Sequence, residues 1–433
     1  MTLAREEKIV FIGDSITYCG RSYPVGEGVL GALGTGFVAL FDARVKARRP
    51  ELGLRVVNMG DKGHTTRDLI ARWQRDVLDL SPDRVVLMVG ANDVWRRFDR
   101  PTMPETHILE SEYAANLETL IETTLPSVPR MVLVSPFFVE PSRLDPMRAA
   151  MDRYAGIMRE AARRHGLVFV DAQAAIDRLL AHVHSVMICF DRVHPSTLGH
   201  EAVAAAIYEA LEGEEPVRST SALRLDPEDK LLFVGDSITD CNRARRIGEG
   251  SPGSLGDGYV NLLDALLQTR HPELRIRTVN MGVSGDSTRE LLERWQTDVL
   301  DLAPDRLVLL VGVNDCARAL HRPFLKEAQV GEAEFEENLE TLVRMTRDRV
   351  KSILLVTPYF LELRKDDALR TTVDRFGAIE KKTAARSGLP CVDAQAAFDA
   401  LLGHLSTYEL SNDRVHPGTA GHFALAETIY GAL

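Results

Sequence analysis

The chain has 433 residues, too many for one compact domain of ordinary size and enough for two. It is 45% hydrophobic and 27% charged, the balance of a folded globular protein rather than a disordered or fibrous one. A formal net charge of -11 argues against a nucleic-acid or anionic-membrane partner, which needs clustered Lys and Arg, and points to a neutral or cationic substrate.

In chain order, residues 1–8 mix charges of both signs and lead into a short apolar run broken at Gly13, so no signal-peptide pattern is present. Strands are predicted at residues 9–12, 55–58, 85–89, 131–134 and 168–170, nearly continuous apolar runs of the kind buried on both faces. Helical periods fall between them at 36–48, 66–80, 111–125 and 147–165, and a last helix follows Pro195. This alternation predicts an α/β fold, a parallel sheet covered by helices on both faces. No stretch approaches the roughly 18 apolar residues of a membrane span, so no membrane partner is expected. The five cysteines, Cys19, Cys189, Cys241, Cys316 and Cys391, have no CxxC spacing and form neither a disulfide framework nor a zinc signature. A cytoplasmic protein is the expectation.

The same order of elements then begins again. KIVFIGD at residues 8–14 recurs as KLLFVGD at 230–236, an offset of 230 − 8 = 222. That offset also relates Asn58 to Asn280, Gly90 to Gly312, Pro136 to Pro358, Asp171 to Asp393 and Leu211 to Leu433 without a gap. A period of this length is one whole domain, not a solenoid repeat. Residues 1–211 and 230–433 are therefore expected to be two copies of one domain, each able to fold alone. Residues 212–229, polar and carrying two prolines, read as the linker.

In open parallel sheets ligands sit beyond the carboxyl ends of the strands, and four groups of polar residues fall there or at a helix entrance. They are Gly13-Asp14-Ser15, Asn58-Met59-Gly60, Gly90-Ala91-Asn92-Asp93 and Asp191-Arg192-Val193-His194. Acyl transfer from an ester needs a hydroxyl nucleophile, a base to take its proton, a carboxylate to orient the base, and donors for the oxyanion. Ser15 is the candidate nucleophile, His194 the base and Asp191 its orienting carboxylate. Candidate oxyanion donors are the backbone N–H groups of Ser15 and Gly60 and the side-chain amide of Asn92. Pro195 suits the first turn of a helix and fixes the chain next to His194.

These blocks resemble the SGNH (GDSL) hydrolase superfamily, and the resemblance spans both copies. The second copy carries Ser237, Asp413 and His416 as its catalytic set, with Gly282 and Asn314 for its oxyanion hole. GDSIT, ARWQRDVLDL, NDVWR, DPMR, VDAQAA and DRVHP are closer still to intracellular acetylxylan esterases. The resemblance implies two tandem flavodoxin-like three-layer α/β/α sandwiches that remove acetyl groups from xylo-oligosaccharides, with no metal and no cofactor. An α/β-hydrolase elbow would need GxSxG, which residues 13–17 do not supply. Two other readings stay open: a lipase, arylesterase or thioesterase on the same scaffold, and a non-catalytic tandem glycan-binding protein.

Other motifs have plainer readings. Asp14 and Asp93 could pair for glycoside cleavage, but structural bonds to loop backbone are the expectation. Gly26 to Gly31 fits GxGxxG without the strand that a dinucleotide site requires. His182 and His184 look like a metal pair, yet Ser406 stands at the second copy's equivalent of His184. His200 and His422 are expected to pack or to support the site from behind. The copies differ at Trp95/Ala317, His64/Asp286, Tyr18/Asp240 and Tyr23-Pro24/Arg245-Arg246. Trp95 is the candidate sugar-binding residue, so the first site is expected to take the glycan ester better. The partner is thus a small or oligosaccharide acetyl ester, and the tandem copies replace a dimer by an intrachain pseudo-dimer, with further homo-oligomers left open.

Overall fold

The computed structural model describes residues 2–28, 31–213 and 225–433; the expected linker falls largely in 214–224, outside the described residues. The chain clusters into two compact units, one built on strands β1–β5 and the other on β6–β10. In the first, β1 (Lys8–Gly13), β2 (Arg55–Asn58), β3 (Arg84–Met88), β4 (Met131–Val134) and β5 (Val168–Val170) form a parallel sheet in the order β2-β1-β3-β4-β5. In the second, β6 (Lys230–Gly235), β7 (Arg277–Asn280), β8 (Arg306–Leu310), β9 (Ser352–Val356) and β10 (Cys391–Val392) repeat it as β7-β6-β8-β9-β10. The registers agree as well: Phe11 faces Asn58 as Phe233 faces Asn280. This is the flavodoxin-like order, whose switch point between β1 and β3 opens a crevice at their carboxyl ends.

The helices of the first unit are α1 (Ser15–Tyr18), α2 (Phe37–Arg48), α3 (Thr66–Asp76), α4 (Ala91–Asp99), α5 (Glu110–Thr124), α6 (Pro146–His165), α7 (Ala172–Leu180), α8 (Ser185–Ile188) and α9 (Thr197–Glu212). Helices α3 to α6 pack as one group and α7 with α9 as another, completing a three-layer α/β/α sandwich. Local signals set the ends. Asp145 caps α6 by accepting from the N–H groups of Met147 and Arg148, Pro146 fills the first turn, and Gly166 at φ +64° stops it.

Two elements depart from the sequence expectation. The helix expected over 66–80 ends at Asp76, where Val77 leaves helical geometry and a 3-10 turn, Leu78–Leu80, follows. No helix was expected at α4, whose first residues were read as the end of the third strand; Gly90, at φ +133°, turns the chain from β3 straight into it. Its first turn, Ala91, Asn92, Asp93 and Val94, is buried.

Buried polar groups are paired in both copies with few exceptions. Trp73 Nε1 donates to Thr124 Oγ1 at 2.9 Å and Trp295 Nε1 to Thr346 Oγ1 at 2.9 Å. Arg148 reaches both oxygens of Asp177, and Arg370 those of Asp399. Glu380 breaks the pattern. It is fully buried in the helix Ala368–Ser387, at the position of Met158 in the first copy (380 − 222 = 158), and neither carboxyl oxygen has a hydrogen-bond partner among the described residues.

Burial pushes the Glu380 carboxyl well above the ordinary carboxylate range. A folded value raised above the unfolded one, about 4.3, means that its contribution is fully present below that pH and is lost as pH climbs towards the folded value. Glu380→Met is therefore expected to stabilise the protein at neutral pH by about 1–3 kcal/mol. Thermal unfolding should show the Tm gain widening from about pH 5 to about pH 8; a gain flat across that range would assign it to packing alone.

Candidate active site

Ser15 sits at the start of α1, immediately beyond β1, and Asp14 caps that helix by accepting from Ile16 N–H at 2.9 Å. As the first helical residue, Ser15 has its N–H outside the helix's own hydrogen-bond ladder, facing outward as a donor. The Ser15 hydroxyl lies 2.8 Å from His194 Nε2, and His194 Nδ1 lies 2.7 Å from Asp191 Oδ2. Asp191 Oδ1 also accepts from the backbone N–H groups of Val193 and His194, at 2.9 and 2.7 Å, and from Cys189 Sγ. Burial raises the Asp191 carboxyl, but the hydrogen bonds from His194 and Val193 outweigh it and hold the value at about 2. It is an anion at any working pH.

The second copy repeats this. Ser237 Oγ lies 2.8 Å from His416 Nε2, and His416 Nδ1 lies 2.6 Å from Asp413 Oδ2. Ser411 takes the place of Cys189, donating to Asp413 Oδ1 and to the His416 carbonyl. Asp413 is likewise held at about 2, burial again being outweighed by the bonds from His416.

The expected oxyanion donors have these partners in the structure. Asn92, on the first turn of α4, uses one N–H on the His64 carbonyl at 3.0 Å and has the other to offer a ligand. Asn314 does the same with the Asp286 carbonyl at 2.8 Å. The Gly60 N–H, expected to face the oxyanion, also donates to Asn58 Oδ1 at 2.9 Å, and Gly282 N–H to Asn280 Oδ1 at 2.9 Å. The Asn-x-Gly spacing lets the side chain fold back on its own backbone, so an oxyanion has to share that donor.

Several residues that the sequence reading passed over hold the frame. Arg72 donates to the carbonyls of Met59 and Gly13, clamping the ends of β2 and β1 together, and pairs with Asp76 at 2.8 Å. Arg21 holds the Gly60 carbonyl at 2.8 Å. Arg294 and Arg243 make the equivalent bonds to Met281, Gly235 and Gly282. Their signal was available: each arginine recurs at the 222-residue offset.

Asp14 and Asp93 are structural, as expected. Asp93 accepts from Thr66 N and Thr66 Oγ1, and both carboxyls are fully buried. Burial raises Asp14 to about 6 and Asp93 to about 7. His200 packs: its Nδ1 accepts from Phe37 N–H, its Nε2 faces Cys19 Sγ at 3.3 Å, and burial lowers it to about 4, so it is neutral. His422 matches it. His184 Nδ1 accepts from Val186 N–H as the cap of α8. Gly26 of the glycine-rich segment bridges to Asn58, while residues 29–30 lie outside the described residues. Among the described residues no group of three or more His, Cys, Asp or Glu is placed to hold a metal ion.

Trp95 stands edge-on to the His194 ring, centroids 5.8 Å apart, and Ala317 removes that contact from the second copy. Tyr23 Oη donates to Asp61 and its ring lies beside Tyr18 in the first copy. An Asp240–Arg245 ion pair replaces them in the second, with Ser284 Oγ also donating to Asp240.

A parallel α/β/α sandwich whose β1 end carries a serine bonded to a His–Asp pair, with backbone and amide donors alongside, defines a carboxylic ester hydrolase. The chain belongs to the GDSL-like Lipase/Acylhydrolase family, whose model matches residues 11–202 and again residues 233–424. It is 47% identical over 219 residues to an acetylxylan esterase from Geobacillus stearothermophilus, covering 51% of this chain and 100% of that protein. Among solved structures it is similar to Axe2, an acetylxylan esterase from the same organism, at 46% identity over 51% of this chain and 100% of that one, with a TM-score of 0.49. It is also similar to LAE5, described as an alpha/beta hydrolase enzyme from the metagenome of Lake Arreo, Spain, at 49% identity over 48% of this chain and 95% of that one, with a TM-score of 0.47.

Gly60 tests the frame. A Cβ there would come within 2.3 Å of Tyr18 N and 2.6 Å of the Thr17 carbonyl carbon, so even alanine must push α1, and Ser15 with it, away from β2. In a chain whose second site is silenced by Ser237→Ala, Gly60→Ala is expected to lower kcat about 10²-fold, the order of loss for a displacement near 1 Å. Steady-state kinetics on an acetate ester would check it, and full retention of kcat would show that the strand end is not part of the site.

Proposed function

We propose that both copies are acyl-transfer sites and that the protein deacetylates xylo-oligosaccharides or related acetylated sugars through an acyl-enzyme. Ser15 Oγ attacks the ester carbonyl carbon while His194 Nε2 takes its proton. The developing oxyanion is held by Ser15 N–H, the second N–H of Asn92, and Gly60 N–H shared with Asn58. His194 then gives the proton to the departing sugar hydroxyl, leaving acetyl-Ser15. Water, deprotonated by the same imidazole, releases acetate. Asp191 keeps the imidazole in the required tautomer and offsets its charge. Ser237, His416, Asp413, Asn314 and Gly282 take these roles in the second copy. The observation that carries this reading is the continuous Ser15–His194–Asp191 hydrogen-bond chain, 2.8 and 2.7 Å, present again in the second copy. The acetyl-sugar substrate is supported by 47% identity to an acetylxylan esterase.

We further propose that residues 1–211 and 230–433 act as separate domains joined by 212–229 in a cytoplasmic protein. Among the described residues no helix is long and apolar enough to cross a membrane. The aromatic first site, with Trp95 against the base, is the better glycan site.

Two measurements test these roles. A fluorophosphonate probe is expected to label both Ser15 and Ser237, each label vanishing in the matching Ser→Ala variant; no label at either serine would favour a binding protein over an enzyme. In the Ser237→Ala background, Asn92→Ala should lower kcat by about 10² to 10³. An effect on KM alone would remove Asn92 from the oxyanion hole. On acetylated xylo-oligosaccharide, Ser15→Ala should cost more activity than Ser237→Ala, and the opposite ranking would reverse the assignment of the glycan site.

A further inference from the structure

A cleft of about 310 Å³ opens beside the first site, lined by Trp95, Phe98, Asp99, Asp145, Asp191 and Arg192 among others. Its size is at the lower end of small-ligand pockets. Its position relative to the chemistry is set by two contacts: Trp95 is packed on the His194 ring, and Asp191 is bonded to His194 Nδ1. The imidazole delivers its proton to the leaving oxygen, so the alcohol half of the ester departs on the imidazole side. The cleft is on that side.

The lining distinguishes what enters. Trp95 and the half-exposed Phe98, one helical turn further along α4, present aromatic surface suited to the C–H face of a pyranose ring. Asp99, Asp145 and Asp191 bring three carboxylates and Arg192 a guanidinium, held by Glu140 at 2.9 Å and stacked over Phe138. An alkyl chain laid there would strip water from those charges without replacing its hydrogen bonds, whereas ring hydroxyls replace them. The second copy has Ala317, Leu320 and His321 where the first has Trp95, Phe98 and Asp99, so both aromatic surfaces and one carboxylate are gone.

Resting on the acetyl-sugar reading above, we infer that this cleft is the subsite for the sugar ring that leaves, a neutral pyranose stacked on Phe98 and Trp95, and that the second copy lacks it. Specificity for glycan esters then resides in the leaving-group side of the first site, not in its acyl side.

The test uses the full chain with Ser237→Ala, comparing acetylated xylotriose with ethyl acetate, whose leaving group is too small to reach the cleft. Phe98→Leu, which installs the second copy's residue, is expected to lower the ratio of kcat/KM for acetylated xylotriose to that for ethyl acetate about tenfold, the scale of one lost aromatic contact. Asp99→His should lower it in the same direction, and Phe98→Tyr should restore it. Binding of unacetylated xylotriose, followed by calorimetry on the parent and on Phe98→Leu, should weaken by a similar factor. An unchanged ratio with unchanged xylotriose binding overturns the subsite. If the parent fails to deacetylate acetylated xylotriose, the substrate reading falls, while loss of xylotriose binding in Phe98→Leu still upholds the cleft and its retention overturns it.

Discussion

The 2.8 Å contact between Ser15 and His194 closes a separation of 179 residues, and the rest of each unit can be understood as the condition for that contact. No local structure joins the two residues. One leaves the carboxyl end of β1, the other precedes the last helix, and only a completed parallel sheet sets both loops at the same edge. The final loop is then tied down by short-range bonds: the Cys189–Pro195 bridge, Ser196 N–H on the Ile188 carbonyl, and Val139 N–H on the Arg192 carbonyl. Arg192 holds φ +67° there, and Arg414 φ +68° in the second copy, a left-handed conformation that a non-glycine residue keeps only where surrounding bonds impose it.

Carboxyl groups around the nucleophile are sorted by their partners. Asp191 gains hydrogen bonds from a ring N–H and two backbone N–H groups and stays ionised with a value near 2. Asp14 and Asp93 are more deeply buried, bonded by fewer groups, and raised to about 6 and about 7. The consequence is electrostatic. In the proposed acyl transfer a second full anion beside Asn92 would oppose the negative charge on the tetrahedral oxygen, and a carboxyl held partly neutral there would oppose it less. The anion that remains is placed behind the imidazole, where it stabilises the positive charge that forms as the oxyanion does. The second copy keeps this division with Asp236 raised to about 7 and Asp315 to about 6 against Asp413 at about 2.

The parts of this design with a period or a repeat were legible in the sequence. Five strands, their order of appearance and the long helices followed from apolar runs and helical spacing, because a strand buried on both faces has little freedom in composition. The 222-residue offset exposed the duplication without any structural knowledge, and the four polar blocks marked the strand ends. What escaped was conformation that side chains decide. Helix α4 opens inside the block Gly90-Ala91-Asn92-Asp93, and its apolar residues Ala91, Val94, Trp95 and Phe98 keep helical spacing, a signal passed over because the block was read only as a strand end. The bond from Gly60 N–H to Asn58 Oδ1 was not legible, because whether an Asn two residues earlier folds back on the backbone depends on rotamer and not on spacing. Arg72 and Arg21 were passed over because a guanidinium serving backbone carbonyls looks, in sequence, like any surface arginine.

The duplication separates what the chemistry demands from what it tolerates. The Ser–His–Asp set and the residues that clamp the strand ends are the same in both copies, from the serine to Arg72/Arg294 and Asn58/Asn280. One layer out, the same gap is bridged by different means. Tyr23 bonded to Asp61 gives way to Arg245 paired with Asp240, and Cys189 to Ser411, which makes the same two bonds to the Asp and the His carbonyl. Such swaps preserve geometry while exchanging an aromatic surface for charge. Farther still, Trp95 becomes Ala317, and the side-chain exposure of the imidazole rises from 42% at His194 to 53% at His416. The change leaves the Ser–His distance at 2.8 Å in both copies. Shape and polarity around an unchanged Ser–His–Asp frame are therefore where the two copies differ.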